Sequence, residues 1–134
     1  MAELVVSLRD VYKTYLGARP LEVLHGLSLQ VATGEFIAIV GQSGSGKSTM
    51  LNIIGALDRP TAGTVAIDGL ELAQLSEDEL AEVRNSRIGF IFQFHYLLDE
   101  FTCLENALLP VMIGKGGRPT AKDVQRVQGL LERV

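Results

Sequence analysis

Several things are scarce in this 134-residue sequence, and each scarcity narrows the field. There is one cysteine, Cys103, so no internal disulfide can form. Without a CxxC pair or a Cys/His cluster there is no structural zinc site either. A reducing compartment fits best. Cys103 has Leu104, Leu108 and Leu109 for neighbours and reads as a small core residue. Basic residues are in deficit: 12 Lys and Arg face 16 Asp and Glu, giving a net charge of -4. That balance argues against a broad nucleic-acid-binding surface, which needs clustered cations. Long apolar runs are also missing. Residues 36–41 and 107–114 fall far short of the ~20 needed to cross a bilayer, so a membrane role has to pass through a partner. Glu3 and Arg9 bracket an apolar run too short for a secretory leader. What remains is an ordinary globular balance of 47% hydrophobic and 21% charged residues, enough to build a core.

Along the chain, residues 4–9 and 11–15 read as strands broken at Asp10, with a turn over residues 17–20. Residues 27–31 alternate like a half-exposed strand, and Ala32-Thr33-Gly34-Glu35 turns the chain. Residues 36–40 are continuously apolar, as expected of a strand covered on both faces in a parallel sheet. From Lys47 the spacing predicts a helix with Met50, Leu51, Ile54 and Leu57 on one face, ended by Asp58-Arg59-Pro60. Residues 64–67 form a short strand closed by Asp68-Gly69, a hairpin signal. Ser76-Glu77-Asp78-Glu79 is a capping box opening a helix to about Asn85, and residues 88–92 are a second buried-type strand. Thr102-Cys103-Leu104-Glu105 is another capping box, after which Pro110 breaks or kinks the helix and residues 114–119 form a loop. Thr120 starts a last helix with Val124, Val127, Leu130, Leu131 and Val134 on one face.

The chemistry is concentrated in Gly41-Gln42-Ser43-Gly44-Ser45-Gly46-Lys47-Ser48, which fits G-x-x-x-x-G-K-[ST] between a predicted strand and a predicted helix. Phosphates need many donors in a small space, and backbone N–H groups supply them without side-chain entropy cost. Gly44 and Gly46 let the backbone curl and approach closely. The helix N-terminus carries roughly half a positive charge towards the anion. The Lys47 ammonium can reach the β and γ phosphates, the Ser48 hydroxyl can ligate Mg²⁺, and Thr49 can add a phosphate contact. Gly41, Ser43 and Ser45 complete the expected binding loop, whose ligand is ATP or a close relative.

The loop alone does not choose among P-loop families. Lys13-Thr14-Tyr15, Thr61-Ala62-Gly63-Thr64-Val65 leading to Asp68-Gly69, and Gln93 after Ile88-Gly89-Phe90-Ile91-Phe92 do. With the loop, they resemble the ATP-binding subunit of ABC transporters, over residues 5–134. Gly34-Glu35-Phe36, Arg84-Asn85, Phe92-Gln93-Phe94-His95 and Phe101-Thr102-Cys103-Leu104-Glu105-Asn106 look like the subgroup serving lipoprotein-releasing and macrolide-export systems. The resemblance implies an α/β P-loop NTPase with an antiparallel β subdomain, the start of a helical subdomain and an incomplete sheet. Residues 1–93 would be the first part of the ATP-binding core and residues 94–134 the exit towards the helical subdomain. Tyr15 would stack on adenine. Gln93 would ligate Mg²⁺, position the attacking water and sense the membrane subunit, with the groove for that subunit running on through Phe101. The partners implied are transmembrane subunits and a second copy of the ATP-binding subunit, at the cytoplasmic face of the cell membrane. One departure is visible: the family usually has Pro near position 99, where this chain has Asp99.

Tyr96-Leu97-Leu98-Asp99-Glu100 mimics a strand ending in the acidic pair that would complete a Mg²⁺ site. It follows the strand at residues 88–92 too closely for a parallel crossover, which needs about a dozen residues, so it is expected to be a loop. The chain holds no Leu-Ser-Gly-Gly-Gln-like signature, and His25 and His95 follow no acidic strand: His25 reads as a strand-edge residue and His95 as groove-lining. The uncapped last helix and the two lone buried-type strands suggest the first part of an ABC ATPase. Such a stretch is expected to bind ATP but not to turn it over at a useful rate. Two rivals stand: a small P-loop kinase using Arg84 and Arg87, and a non-hydrolysing, nucleotide-dependent interaction module.

Overall fold

The computed structural model describes residues 3–134. The chain packs as two compact units, Met1–Leu80 and Ala81–Val134. In the first, strands β1 (Leu4–Tyr15), β2 (Leu21–Ala32), β3 (Ala62–Ile67) and β4 (Leu70–Glu71) form an antiparallel sheet in the order β2-β1-β3-β4. The β1–β2 and β3–β4 pairs close through short turns, and the β1–β3 pairing, with Val6 opposite Ile67, joins the two pairs across a long stretch of chain. The clearest such turn is at Asp68-Gly69, where both residues have positive φ (46° and 76°), as a two-residue hairpin of the right twist requires. Strand β2 begins at Leu21, well before residue 27. It is an edge strand, and Glu22, His25 (3.0 Å from Glu22) and Gly26 break the alternation of its first half, although Leu24 is buried there.

Residues 4–15 are one strand, not two. Asp10 has φ 47° and marks a bulge: the β1–β2 register shifts between Leu8 and Val11, and the Asp10 N–H is taken by the Ser28 hydroxyl at 2.9 Å. An extra residue on one strand bends the ladder without ending it. Gly63 sits against this bulge, where a Cβ would collide with the Asp10 and Arg9 carbonyls. Leu8, Val11 and Val65 are essentially fully buried, each contributing about 1.5–3 kcal/mol of transfer free energy.

Helix α1 (Lys47–Ile54) packs on β2 and β3. Its inward residues are Met50 and Ile53, with Ala56 buried just beyond, whereas Leu51 and Leu57 are exposed. The expected face is therefore rotated. The helix is apolar on more than one side, and it ends at Gly55, which takes Leu57 off its surface. A single turn of 3-10 helix (Leu72–Gln74) leads to α2 (Glu77–Arg87), opened by the Ser76–Glu79 capping box.

Residues 36–40 and 88–92 form no hydrogen-bonded strand. Phe36 is 95% exposed, Val40 87% and Ile91 fully so, which corrects the expectation of two covered parallel strands. Parallel strands take their partners from distant crossovers, and an apolar run without such partners has nothing to lie against.

In the second unit, α3 (Cys103–Lys115) packs against α4 (Ala121–Leu131). Both open on capping boxes, Thr102 with Glu105 and Thr120 with Asp123. Helix α3 runs through Pro110 to Lys115 and ends on Gly116 in the left-handed region, so the proline does not terminate it and the following loop starts later than residue 114. Gly114 lies close against the Asn85 amide. Cys103 is exposed, contrary to its reading as a core residue: the capping box fixes it as the first residue of α3, pointing away from the packed face. Val127 is the buried residue of α4.

Candidate functional site

Residues 41–49 wrap into a tight glycine loop that runs directly into α1. Gly44 and Gly46 have φ of 79° and 88°, which side chains with a Cβ rarely adopt. Gly46 is also the residue that caps α1, and a Cβ there would press on Leu24 and on the Val23 backbone of β2. A Cβ on Gly41 would meet the Ser45 hydroxyl. Gly44, by contrast, has open space beside it, leaving its backbone free to be approached. The first intrahelical bond runs from Met50 N–H to Gly46. The amides of Lys47, Ser48 and Thr49 thus precede the helical ladder and point out of the N-terminus, where an anion is favoured. Lys47 folds its ammonium back over the loop, donating to the carbonyls of Gly41 (2.9 Å) and Gln42 (2.6 Å), and lies 3.4 Å from the Ser45 hydroxyl. The cation is thus held by neutral acceptors beside the amides, and among the described residues no carboxylate bonds it.

A cleft of about 640 Å³ joins this loop to the end of β1. Ser43, Gly44, Gly46, Lys47, Ser48 and Thr49 line one side. Tyr15 lines the other, together with Leu21 and Val23 of β2, two apolar contributions that sequence reasoning missed. The structure therefore brings Tyr15 to the phosphate loop across about thirty intervening residues, while Gly41 and Ser45 shape the loop from within. Gln93 belongs to the second unit, where it is exposed beside an aromatic chain: Phe90 stacks on Phe92 at 5.3 Å, and Tyr96 meets the edges of Phe92 and Phe94. Residues 95–100 form no strand. The Asn106 side chain ties their turn together, bonding Leu98 N–H and the carbonyls of Leu98, Phe101 and Thr102. Asp99 and Glu100 are exposed on that loop rather than at a strand end.

Tyr15 is itself held from behind. Its hydroxyl donates to Asp58 Oδ2 at 3.0 Å, and the Lys13 ammonium lies 4.8 Å from its ring centroid. Lys13, only 9% exposed, bonds Asp58 Oδ1 at 2.6 Å and the Arg59 carbonyl at 2.8 Å. Burial raises the Asp58 carboxyl, but the bonds from Lys13, Tyr15 and the Arg59 N–H together outweigh it and hold the group below the ordinary aspartate value. This cluster was also missed. Its signal was available in β1, where Val11, Lys13 and Tyr15 alternate onto one face and a lysine on an inward face calls for a counter-charge.

A glycine loop running directly into a helix, with a lysine over the loop and a cleft in front of it, is the arrangement of the P-loop NTPase class. A model of the ABC transporter domain matches residues 24–134. The chain is 47% identical to the lipoprotein-releasing system ATP-binding protein LolD 1 of Rhodopseudomonas palustris, over 97% of this chain and 58% of that protein. It is 49% identical to LolD of Pseudomonas fluorescens, over 97% and 57%. The structure of the dimeric ATP-binding cassette MJ0796 in a post-hydrolysis state, bound to ADP and Pi, superposes with a TM-score of 0.85 at 43% identity, covering 95% of this chain and 56% of that one. This chain belongs to the ABC transporter ATP-binding family. It spans somewhat more than half the length of these relatives.

Proposed function

We propose that residues 41–49 bind the triphosphate of Mg²⁺-ATP and that Tyr15 receives the adenine, in the ATP-binding subunit of a transporter that releases or exports lipoproteins from the inner membrane. The observation that carries this reading is the single cleft shared by Tyr15 and the phosphate loop. The donor set fits the ligand: backbone amides, a lysine held by neutral acceptors, and an aromatic wall. Ser48, exposed at the first turn of α1, is the residue of this unit that would hold Mg²⁺, whose charge offsets that of the phosphates. Lys47 leaves its carbonyl partners for the phosphates and draws their charge towards the helix N-terminus. The 1–93 stretch then acts as the ATP-binding core, while residues 94–134 lead from Gln93 into the helical subdomain.

The relatives' names supply the setting. LolD belongs to a lipoprotein-releasing system, and the MJ0796 cassette is dimeric. By that likeness a second ATP-binding subunit faces the phosphate loop, and transmembrane subunits dock in the groove around Gln93 through Phe101, at the cytoplasmic side of the membrane. The exposed aromatic chain there supports a docking role. In the whole subunit the reaction is hydrolysis of ATP coupled to transport. These 134 residues alone bind without useful turnover, because Asp99 and Glu100 lie on a loop and supply no acidic strand end. Calorimetric titration with ATP tests the site: Lys47→Ala abolishes binding, and unchanged binding in that variant overturns the assignment. Phosphate release by the unaltered chain at a rate typical of a whole cassette overturns the inactivity.

A further inference from the structure

We infer that Lys13 and Asp58 are positioning residues for nucleobase recognition, acting through Tyr15. The inference rests on the reading of Tyr15 as the adenine contact. A tyrosine at the mouth of a cleft has two soft torsions, and stacking on a base requires them to be fixed. Here the ring is fixed at two places. Its hydroxyl donates to Asp58 Oδ2, and one face lies under the Lys13 ammonium, which the other Asp58 oxygen and the Arg59 carbonyl hold in turn. Asp58 therefore accepts from Lys13 and Tyr15 at once, and its two oxygens set the spacing between ammonium and ring.

The arrangement does more than prevent rotation. A cation over one face of an aromatic ring is attracted by the ring's negative face. That contact uses one side of Tyr15 and leaves the other for a base. Tyr15 retains 41% of its surface exposed, while Lys13 is nearly buried, so the free face and not the ammonium is what a ligand meets. Neither Lys13 nor Asp58 lines the cleft, so direct contact with nucleotide is not their part. Both lie in the same compact unit as the phosphate loop. Losing either one frees the ring and weakens only the base-dependent share of binding.

The test compares ATP with inorganic tripolyphosphate, which has the phosphates and no base. Both are titrated calorimetrically into the full chain carrying Lys13→Met, Asp58→Asn, Tyr15→Leu, or Tyr15→Leu with Lys13→Met. Lys13→Met and Asp58→Asn are expected to weaken ATP binding by about 3- to 10-fold and to leave tripolyphosphate unchanged, in line with the size of cation–π and stacking interactions. The double variant should bind ATP no more weakly than Tyr15→Leu alone. Lys13→Arg, which keeps the cation, should restore most of the loss. Equal weakening of ATP and tripolyphosphate, or losses that add in the double variant, overturns the positioning role. If the unaltered chain binds the two ligands equally, or Tyr15→Leu changes neither, the adenine reading of Tyr15 fails first, a result separable from the other. Should Lys13→Met not fold, Asp58→Asn and Lys13→Arg still decide between these outcomes.

Discussion

The sheet of β1 to β4 and the run at residues 36–40 both carry large apolar side chains and meet opposite fates. Leu8, Val11 and Val65 are buried to within 1%, while Phe36 and Val40 stand almost wholly in solvent. Apolar character states a demand for cover, and topology decides whether the demand is met. Strand β1 has β2 a turn away on one side and β3 on the other, so its apolar side chains are covered. A parallel-type run waits for a partner brought by a long crossover. The glycine loop follows that run directly, and its shape depends on its own glycines and on the first turn of α1, so it forms where the run preceding it does not.

The widest separation between these regions should appear in stability. Leu8→Ala is expected to cost about 3 kcal/mol in denaturant unfolding, as for a fully buried leucine. Next comes the Thr102 cap of α3, whose hydroxyl accepts from Glu105 N–H while the Glu105 carboxylate accepts from Thr102 N–H. Thr102→Ala should cost about 1 kcal/mol, read by helical circular dichroism on heating. A smaller, pH-dependent effect belongs to Asp58. Its carboxyl is depressed in the folded state, so the Lys13 and Tyr15 bonds contribute fully above the unfolded value of about 3.9 and are lost as pH falls through the lower folded value. Acid unfolding of Asp58→Asn should therefore show a shallower loss in that window, and an identical acid limb would remove Asp58 from the account. The smallest change is expected for Phe36→Ser, within about 0.5 kcal/mol, with reduced aggregation in light scattering. If Phe36→Ser destabilised as much as Leu8→Ala, the contrast between the two regions would be wrong.

What the sequence made legible was local. The curl of the glycine loop, three helix starts and the Asp68-Gly69 turn are each written in a few consecutive residues, because hydrogen bonds within a turn or cap need only near neighbours. The bond from Lys13 to Asp58 spans 45 positions, and neither residue type signals the other at that distance. The rotation of α1 was hidden for a related reason: Met50, Leu51, Ile53 and Ile54 offer two possible inward faces, and only β2 and β3 choose between them. The exposure of Cys103 follows from its rank in a helix, which outweighs the character of its neighbours.

The bulge at Asp10 has a further consequence. Side chains on a strand take alternate sides, so even and odd positions are sorted like cards dealt to two hands. Leu8 is dealt inward as an even number, and Val11 and Lys13 as odd ones. One surplus residue at Asp10, clamped by Ser28 and by the bare backbone of Gly63, has swapped the hands. Deleting that residue would leave hydrophobic content almost untouched, yet it would turn Tyr12 and Thr14 to the face that now carries Val11, Lys13 and Tyr15 and send those three to the other. In this strand, a count off by one matters more to the cleft that Tyr15 lines than most changes of residue type.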